Sequence, residues 1–290
     1  MTSQILPRGR PIRSWPAPAF TLAEMLVVLG VIAVLAALVL PALAMGKSQA
    51  RSTICKNHLH EMGLALQMYV NENGNKYPYY DGLTDHALDA AVGPLNTRCW
   101  WAKLAPYYPL KWTDVKYHCP GYHGVIAGFG YTNASGLHNG PPFGSYAYNA
   151  NGVSMPGFGA PFDPDLGLGY LPSGVRLNGS LEWGRTTVPD HRVVAPSEMF
   201  SIGESRFLNA AENQTPGGDD RLICGLLNWR GRNYSLLFDP ARHGKHYNQL
   251  FCDGHIEAIN PWVLFNPTNT AAMWNNDHQP HPELWVETAP

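Results

Sequence analysis

A long uncharged stretch near the amino terminus most constrains how this chain folds. From Met25 to Met45 no side chain carries a charge, and nearly every residue is aliphatic or small. A helix rises 1.5 Å per residue, so this stretch spans roughly 30 Å, close to the thickness of a bilayer core. One acid, Glu24, lies at its start, where an ionisable group needs a partner or a special role. The sequence therefore predicts a membrane-spanning helix that begins with a functional carboxylate.

The segment ahead of the apolar stretch is basic. Residues 1–19 contain three arginines and no acid, and positive charge holds that flank of a membrane helix in the cytoplasm. A secretory signal peptide is cut after its apolar region, whereas here the small residue Ala19 precedes that region. Cleavage between Ala19 and Phe20 would keep the helix and, by removing three arginines, would change the net charge from −2 to −5.

Residues 19–24 read Ala-Phe-Thr-Leu-Ala-Glu and resemble the type IV prepilin processing site, in which Gly normally occupies the position of Ala19. The resemblance implies cleavage before Phe20 by a prepilin peptidase, followed by N-methylation of Phe20. It also implies that Glu24 pairs with the free amino terminus of a neighbouring subunit and that Pro41 is the proline that kinks or loosens the first helix. A plain single-span anchor, with Glu24 at the membrane interface, is the alternative.

A second pattern extends the helix beyond the membrane. After residues 46–51, apolar side chains recur at steps of three and four, which is typical of an amphipathic helix. Gly74 follows as a candidate residue for a left-handed helix end. One helix from Glu24 to Asn73 is therefore predicted.

The resemblance implies an α+β, type IV pilin-like fold, in which a long N-terminal helix packs on a small antiparallel β-sheet with long loop insertions. We expect a cleaved cytoplasmic leader at 1–19, a transmembrane and assembly helix at 20–73 and a globular domain at 74–290. Within that domain, β-type patterns predict strands near 145–149 and 199–203.

A hairpin is predicted over residues 248–259. The Asp253-Gly254 pair is typical of a two-residue type I′ turn, and such a turn would place Phe251 opposite Ile256.

His243 lies ten residues ahead of Asp253, and Gly254 follows. This His-x9-Asp-Gly spacing resembles a C-terminal signature of pilin-like families of planctomycetes and verrucomicrobia, and the segment from Cys55 to Leu66 resembles a second pattern of the same families. We expect His243 and Asp253 to form a hydrogen-bonded pair that locks the loop onto the hairpin. A metal or ligand site and a catalytic dyad are the alternatives.

The sequence carries no recognised catalytic or phosphate-binding motif and no basic patch. We therefore expect neither enzymatic activity nor a nucleic-acid partner, with a membrane-anchored hydrolase as the rival interpretation. No cofactor is expected, because the acids Asp219, Asp220 and Asp239 do not match a fixed calcium-loop spacing. Since some secretion pseudopilins stabilise a late loop with calcium, calcium is the alternative.

The five cysteines are Cys55, Cys99, Cys119, Cys224 and Cys252. Disulfides form outside the cytoplasm, and an odd count leaves at least one thiol unpaired. A Cys99–Cys119 bridge and a Cys55–Cys119 bridge are both compatible with the sequence, and for Cys224 and Cys252 buried free thiols are the alternative.

Together these features favour a structural function. The expected protein is a single-pass inner-membrane subunit, with its leader in the cytoplasm and its globular domain in the periplasm. After processing it would assemble with copies of itself or other pilins, through an inner-membrane platform, into a type IV pilus or a type II secretion pseudopilus at the cell surface. The alternative is a membrane- or filament-displayed adhesin or glycan-binding minor pilin, whose stacking surface would include Trp100, Tyr146 and Tyr148; the same rings would otherwise build the core.

Overall fold

The computed structural model describes residues 21–79, 99–108, 111–126, 131–132, 138–139, 144–153, 166–169, 175–177, 180–182, 187–205, 207–208, 217–218 and 242–284. The chain divides into two compact units, Met1–Gly46 and Lys47–Pro290. The predicted processing site and the predicted calcium ligands lie outside the described residues, as does Cys224.

The regular elements fall in the following order. The helices are α1 (Leu22–Glu72), α2 (Trp100–Leu104), α3 (Pro261–Leu264) and α4 (Pro267–Thr270). The strands are β1 (Tyr131–Thr132), β2 (His138–Asn139), β3 (Tyr146–Tyr148), β4 (Val175–Leu177), β5 (Ser180–Glu182), β6 (Phe200–Glu204), β7 (Phe207–Leu208), β8 (Gly217–Gly218), β9 (Tyr247–Phe251) and β10 (Ile256–Ile259). Short 3-10 helices cover Val115–Tyr117, Asp190–Arg192, Arg242–Gly244, Ala271–Trp274 and Pro282–Leu284.

In the first unit, α1 presents apolar side chains that are not covered by the protein. Every residue from Leu22 to Met45 is exposed, and an 18-residue window of the helix has a mean hydropathy of 3.0. By length and composition α1 is therefore able to cross a membrane. The helix continues through Pro41, although proline removes one backbone hydrogen bond at that point.

In the second unit, α1 buries one stripe of residues. The buried positions recur at steps of one helical turn: Ser52, Cys55, Leu59, Met62, Gly63, Ala65, Leu66 and Val70. The predicted amphipathic extension is confirmed. Its end is also as predicted, because Gly74 has a φ of 68° and the amide of Asn75 donates to the carbonyl of Val70 at 2.9 Å. This is the hydrogen-bonding pattern of a Schellman helix end.

The main sheet contains four antiparallel strands in the order β10-β9-β6-β3. Successive side chains of a strand point to opposite faces, so Tyr146 and Tyr148 of β3 join one buried cluster while Ala147 joins another. In β6 the alternation breaks, because the pairing register with β9 shifts between Phe200 and Ile202. The bulge sends these two side chains into different clusters.

Two buried layers cover the sheet. One contains the buried stripe of α1 together with aromatic residues such as Trp100 and Trp112. The other contains Phe200 and the C-terminal segment, including Phe265 and Trp274. A long apolar N-terminal helix and a small antiparallel sheet, as expected for the α+β class, are therefore present.

The predicted hairpin forms with a different turn. Leu250, not Phe251, pairs with Ile256. The amide of Phe251 donates to the carbonyl of His255 at 3.0 Å, which closes a three-residue loop over Cys252, Asp253 and Gly254. Only Gly254 in this loop has a positive φ, of 97°, whereas a type I′ turn requires two such residues. The predicted two-residue turn was wrong, because the loop has three residues, and the pairing of β9 with β10 is shifted by one residue as a result.

A first prediction concerns the pairing of Gly203 in β6 with Gln249 in β9. A Cβ at position 203 would lie 1.5 Å from Oε1 of the buried Gln249 side chain. We expect Gly203→Ala to lower the free energy of unfolding by about 1–3 kcal/mol, because the overpacked amide must move. Denaturant unfolding of the full chain in detergent measures the change.

The matched control is the double variant Gly203→Ala/Gln249→Ala, in which the new methyl group has room. Its free energy of unfolding should be higher than the value obtained by adding the effects of the two single substitutions. Additive costs would contradict the steric explanation.

Candidate functional site

The amino terminus of α1 is closed by a reciprocal side-chain cap. The backbone amide and the hydroxyl of Thr21 both donate to Oε2 of Glu24, each at 2.8 Å, and the amide of Glu24 donates to the Thr21 hydroxyl at 3.3 Å. This is a capping box, in which the first and fourth residues satisfy each other's free amides. The Thr-x-x-Glu pattern could have been recognised in the sequence, and it gives Glu24 a local role beside its predicted assembly role.

The second candidate site is a buried cluster of four ionisable side chains, which we name the Cys-Glu-His cluster: Cys55, Cys119, Glu204 and His243. The four potential ligand atoms all lie within 4.8 Å of one another. Four separate parts of the second unit bring them together, and each is held there by local structure.

Cys55 belongs to the buried stripe of α1, and Glu204 is the last residue of β6. Cys119 follows the turn at Val115–Tyr117, where its amide donates to the hydroxyl of Ser145 at 2.8 Å. His243 lies in the turn just before β9.

The contacts within the cluster are short. Cys55 Sγ lies 2.9 Å from Oε1 of Glu204, and Nε2 of His243 lies 2.9 Å from the same oxygen. The same Nε2 is 3.0 Å from Sγ of Cys119. Glu204 is completely buried, so each of its contacts forms away from water and counts for more than a surface contact would.

A second layer of hydrogen bonds holds the cluster in place. The amide of Asn248 donates to Oε2 of Glu204 at 2.7 Å. The hydroxyl of Tyr146 donates to Sγ of Cys55 at 3.4 Å, and the amide of Gly121 donates to Sγ of Cys119 at 3.3 Å. Both sulfurs therefore receive a hydrogen bond from a neutral donor.

Burial and mutual contact shift the pKa values in opposite directions. Burial raises the pKa of Cys55 well above its usual value. Burial alone would raise the pKa of Cys119 as well, but hydrogen bonds with Cys55 and His243 outweigh it and lower that pKa. Burial disfavours the charged form of His243, yet its contacts with Cys119 and Glu204 raise its pKa to about 9. The contacts within the cluster therefore favour the imidazolium form of His243 beside an ionised Glu204, and they shift Cys119 toward its thiolate form.

The pKa of Glu204 also reflects its neighbours. Burial alone would raise it, but His243 and the positive charge of the buried Arg242 lower it. The guanidinium of Arg242 donates to the carbonyl of Ser205 at 3.0 Å and lies over the rings of Tyr122 and Tyr247, 5.1 Å and 4.8 Å from their centroids. A buried cation is thus fixed beside the cluster.

The structure separates the two ends of the His-x9-Asp-Gly signature. His243 belongs to the cluster, whereas Asp253 accepts the amide of His255 at 3.1 Å and lies 2.6 Å from its ring nitrogen. The expected His243–Asp253 pair was wrong. Strand β9 lies between the two residues, and its five extended residues hold its end Cα atoms about 13 Å apart.

The expected disulfides are also absent from the structure. Neither Cys99 nor Cys55 is bonded to Cys119. Cys119 instead contacts His243, and Cys55 contacts Glu204.

Three of the aromatic residues expected to form a sugar-stacking surface lie in the core, while Trp183 of the same set lies outside the described residues. Trp100, Tyr146 and Tyr148 are completely buried, and Trp100 stacks on Tyr148 with ring centroids 5.8 Å apart. Trp101 stacks on Trp112 at 5.3 Å. The rings of Trp100, Tyr146 and Tyr148 therefore offer no exposed face to a sugar, whereas Trp101 is partly exposed.

The chain matches no protein-family model, no curated protein and no solved structure.

The second prediction concerns the charge of Glu204. We expect Glu204→Gln to lower the free energy of unfolding by about 3 kcal/mol, because it leaves the buried charges of His243 and Arg242 without their anion. Denaturant unfolding of the full chain in detergent gives the value.

Glu198→Gln is the control, because this acid is exposed and forms a surface pair with His278. It should change the free energy of unfolding by less than about 0.5 kcal/mol. Equal effects of the two substitutions would contradict the importance of the buried carboxylate.

Proposed function

We propose that this protein is a structural subunit of a pilin-like filament, a type IV pilus or a type II secretion pseudopilus, and that α1 anchors it in the inner membrane before assembly. The observation that carries the proposal is the uncovered apolar surface of α1, from Met25 to Met45. A continuous apolar surface of this size requires either lipid or other helices as a partner. A filament subunit would contact lipid before assembly and the helices of neighbouring subunits after it.

The amino-terminal sequence supports the same proposal. The resemblance of residues 19–24 to a prepilin processing site places the cut immediately ahead of the capping box. Cleavage there removes the basic leader and leaves the apolar helix intact. The leader would remain in the cytoplasm and the second unit would lie on the other side of the membrane.

The proposal assigns Glu24 a partner on another subunit. Both hydrogen bonds that Glu24 accepts from Thr21 use Oε2. The cap therefore does not use Oε1 of the charged carboxylate. The new amino terminus of a neighbouring copy would neutralise it when the two helices are correctly staggered. A charge pair of this kind sets register more than it adds stability.

A third prediction tests processing. Mass spectrometry of the mature protein should find Phe20 as the first residue, with a methyl group on its amino nitrogen. Ala19→Gly should be processed as well, because it restores the usual residue of the site, whereas Ala19→Leu should block cleavage by its bulk. Recovery of the wild-type protein with Met1 intact would overturn the proposal.

The fourth prediction separates the charge of Glu24 from its capping role. Glu24→Gln keeps an oxygen that accepts the Thr21 amide but removes the charge, so incorporation into filaments should fall to background. Thr21→Val keeps the charge and loses the hydroxyl contacts, at a cost of about 1 kcal/mol of helix stability, and should still assemble. Quantitative immunoblotting of sheared filaments measures both.

The opposite result, in which Glu24→Gln assembles and Thr21→Val does not, would show that Glu24 acts only as a cap. Membrane levels of each variant, measured in parallel, exclude loss by degradation.

A further inference from the structure

We propose that Cys55, Cys119, Glu204 and His243 form a binding site for one Zn²⁺ ion. The inference concerns the second unit alone and is independent of whether the protein forms filaments.

The identity of the side chains selects the metal. Two thiolates, one imidazole and one carboxylate are all groups that bind zinc, and four protein ligands are typical of structural zinc sites. Calcium and magnesium are bound by oxygen atoms alone, so a set containing two sulfurs and a nitrogen excludes both.

The spacing of the ligand atoms fits a tetrahedral ion. Zinc lies about 2.3 Å from sulfur and about 2.0 Å from nitrogen or oxygen, so the edges of the tetrahedron measure roughly 3.3–3.8 Å. The closest contacts in the cluster are 2.9–3.0 Å, and all four atoms lie within 4.8 Å of one another. Coordination would open the short contacts by about half an ångström and would close any longer separation, up to 4.8 Å, by at most about 1 Å, both within reach of side-chain torsions.

The hydrogen bonding inside the cluster is incomplete without a cation. The single Nε2 of His243 faces both Sγ of Cys119 and Oε1 of Glu204, and Cys55 faces the same oxygen. One N–H cannot point directly at two acceptors, whereas one cation accepts a lone pair from each of these atoms. The cluster is therefore better matched to a shared metal ion than to pairwise hydrogen bonds.

The backbone at His243 supports a functional constraint. His243 has a φ of 45°, and Gly244 and Lys245 follow with 66° and 74°. A left-handed conformation is uncommon for residues other than glycine and costs energy. Here the left-handed conformation directs the imidazole of His243 into the cluster. The ring lies next to Gly121, and a Cβ added to Gly121 would lie 3.2 Å from Cε1 of the ring.

The charges of the site would also balance with a divalent ion bound. With both thiols ionised, the three anionic ligands carry a charge of −3, and the buried guanidinium of Arg242 reduces this to −2. One Zn²⁺ makes the buried site neutral. This matters because an uncompensated charge in the interior is costly.

The outer layer suits thiolate ligands. Tyr146 and Gly121 each donate a hydrogen bond to one sulfur, and Asn248 donates to the carboxylate oxygen that does not face the cluster. Such outer donors orient the ligands of metal sites. Because four protein groups complete the coordination, the ion would be structural and would connect α1 to β6 and to the turn before β9.

The test measures zinc in the full chain, carried on an affinity tag without histidine and purified in detergent without chelators. Plasma mass spectrometry should find about one zinc ion per chain, as expected for one four-ligand site. Cys55→Ser and Cys119→Ser should each reduce zinc to background. Cys252→Ser, which changes a cysteine outside the cluster, should leave it unchanged.

A second measurement does not depend on variant folding. Removal of the metal from the wild-type protein by a chelator should lower its unfolding temperature. Zn²⁺ should restore it, and Ca²⁺ and Mg²⁺ should not. Replacement by Co²⁺ should give the absorption of a tetrahedral site with thiolate-to-cobalt charge transfer.

Two results would overturn the proposal. One is zinc that is substoichiometric and insensitive to Cys119→Ser, which indicates an adventitious ion only. The other is a protein that contains no zinc and whose unfolding temperature Zn²⁺ does not raise, whether its thiols are free or peptide mapping finds Cys55 and Cys119 joined by a disulfide.

Discussion

The buried carboxylate of Glu204 is the contact on which the second unit depends. Oε2 accepts the amide of Asn248 and so joins the end of β6 to β9, while Oε1 contacts Cys55 of α1 and His243. A single side chain thus links a helix, two strands and a turn that are far apart in sequence. Because Glu204 is wholly buried, loss of any partner leaves a charge or a polar atom without water to replace it. This makes the junction specific as well as stabilising, and it explains why a charged residue is present in a core rich in aromatic rings.

Helix α1 carries two surfaces that follow different physical rules. From Met25 to Met45 its side chains are uncharged, mostly apolar on all sides, and exposed, which suits a hydrocarbon environment or a bundle of like helices. From Ser52 to Val70 it buries one stripe and exposes the rest, which suits a partner on one face only. The change occurs near Gly46 and Lys47, where the chain divides into its two compact units. One continuous run of helical sequence therefore serves two environments, and each half is recognisable from its own pattern of apolar residues.

The parts of the fold that the sequence could predict are those with local causes. The ends of α1, the positions of β3 and β6 and the presence of the hairpin follow from periodicity and turn residues within a few positions of one another. The failures concern contacts between distant segments. Cys55 and Glu204 are 149 positions apart, and nothing near either residue indicates the other. The signature motif led to the prediction that His243 pairs with Asp253, but β9 lies between these residues. The contacts of His243 are instead with Cys119 and Glu204, which belong to other elements. Glu204, which follows the predicted strand at 199–203, was the signal available in the sequence. A carboxylate at the end of a buried strand must find a partner, so this position could have been recognised as a candidate site.

The local role of Glu24 as a helix cap is compatible with the intermolecular role that we propose for it. The capping box uses one carboxylate oxygen for both of the bonds from Thr21, and it fixes the carboxylate at the first turn of α1. There the partial positive charge of the helix terminus also favours an anion. A side chain oriented in this way loses little further freedom when a cation approaches it, so a neighbouring amino terminus would meet a preorganised partner. Under the proposed function, the cap would therefore not compete with assembly and would position the charge that pairs with the neighbouring subunit.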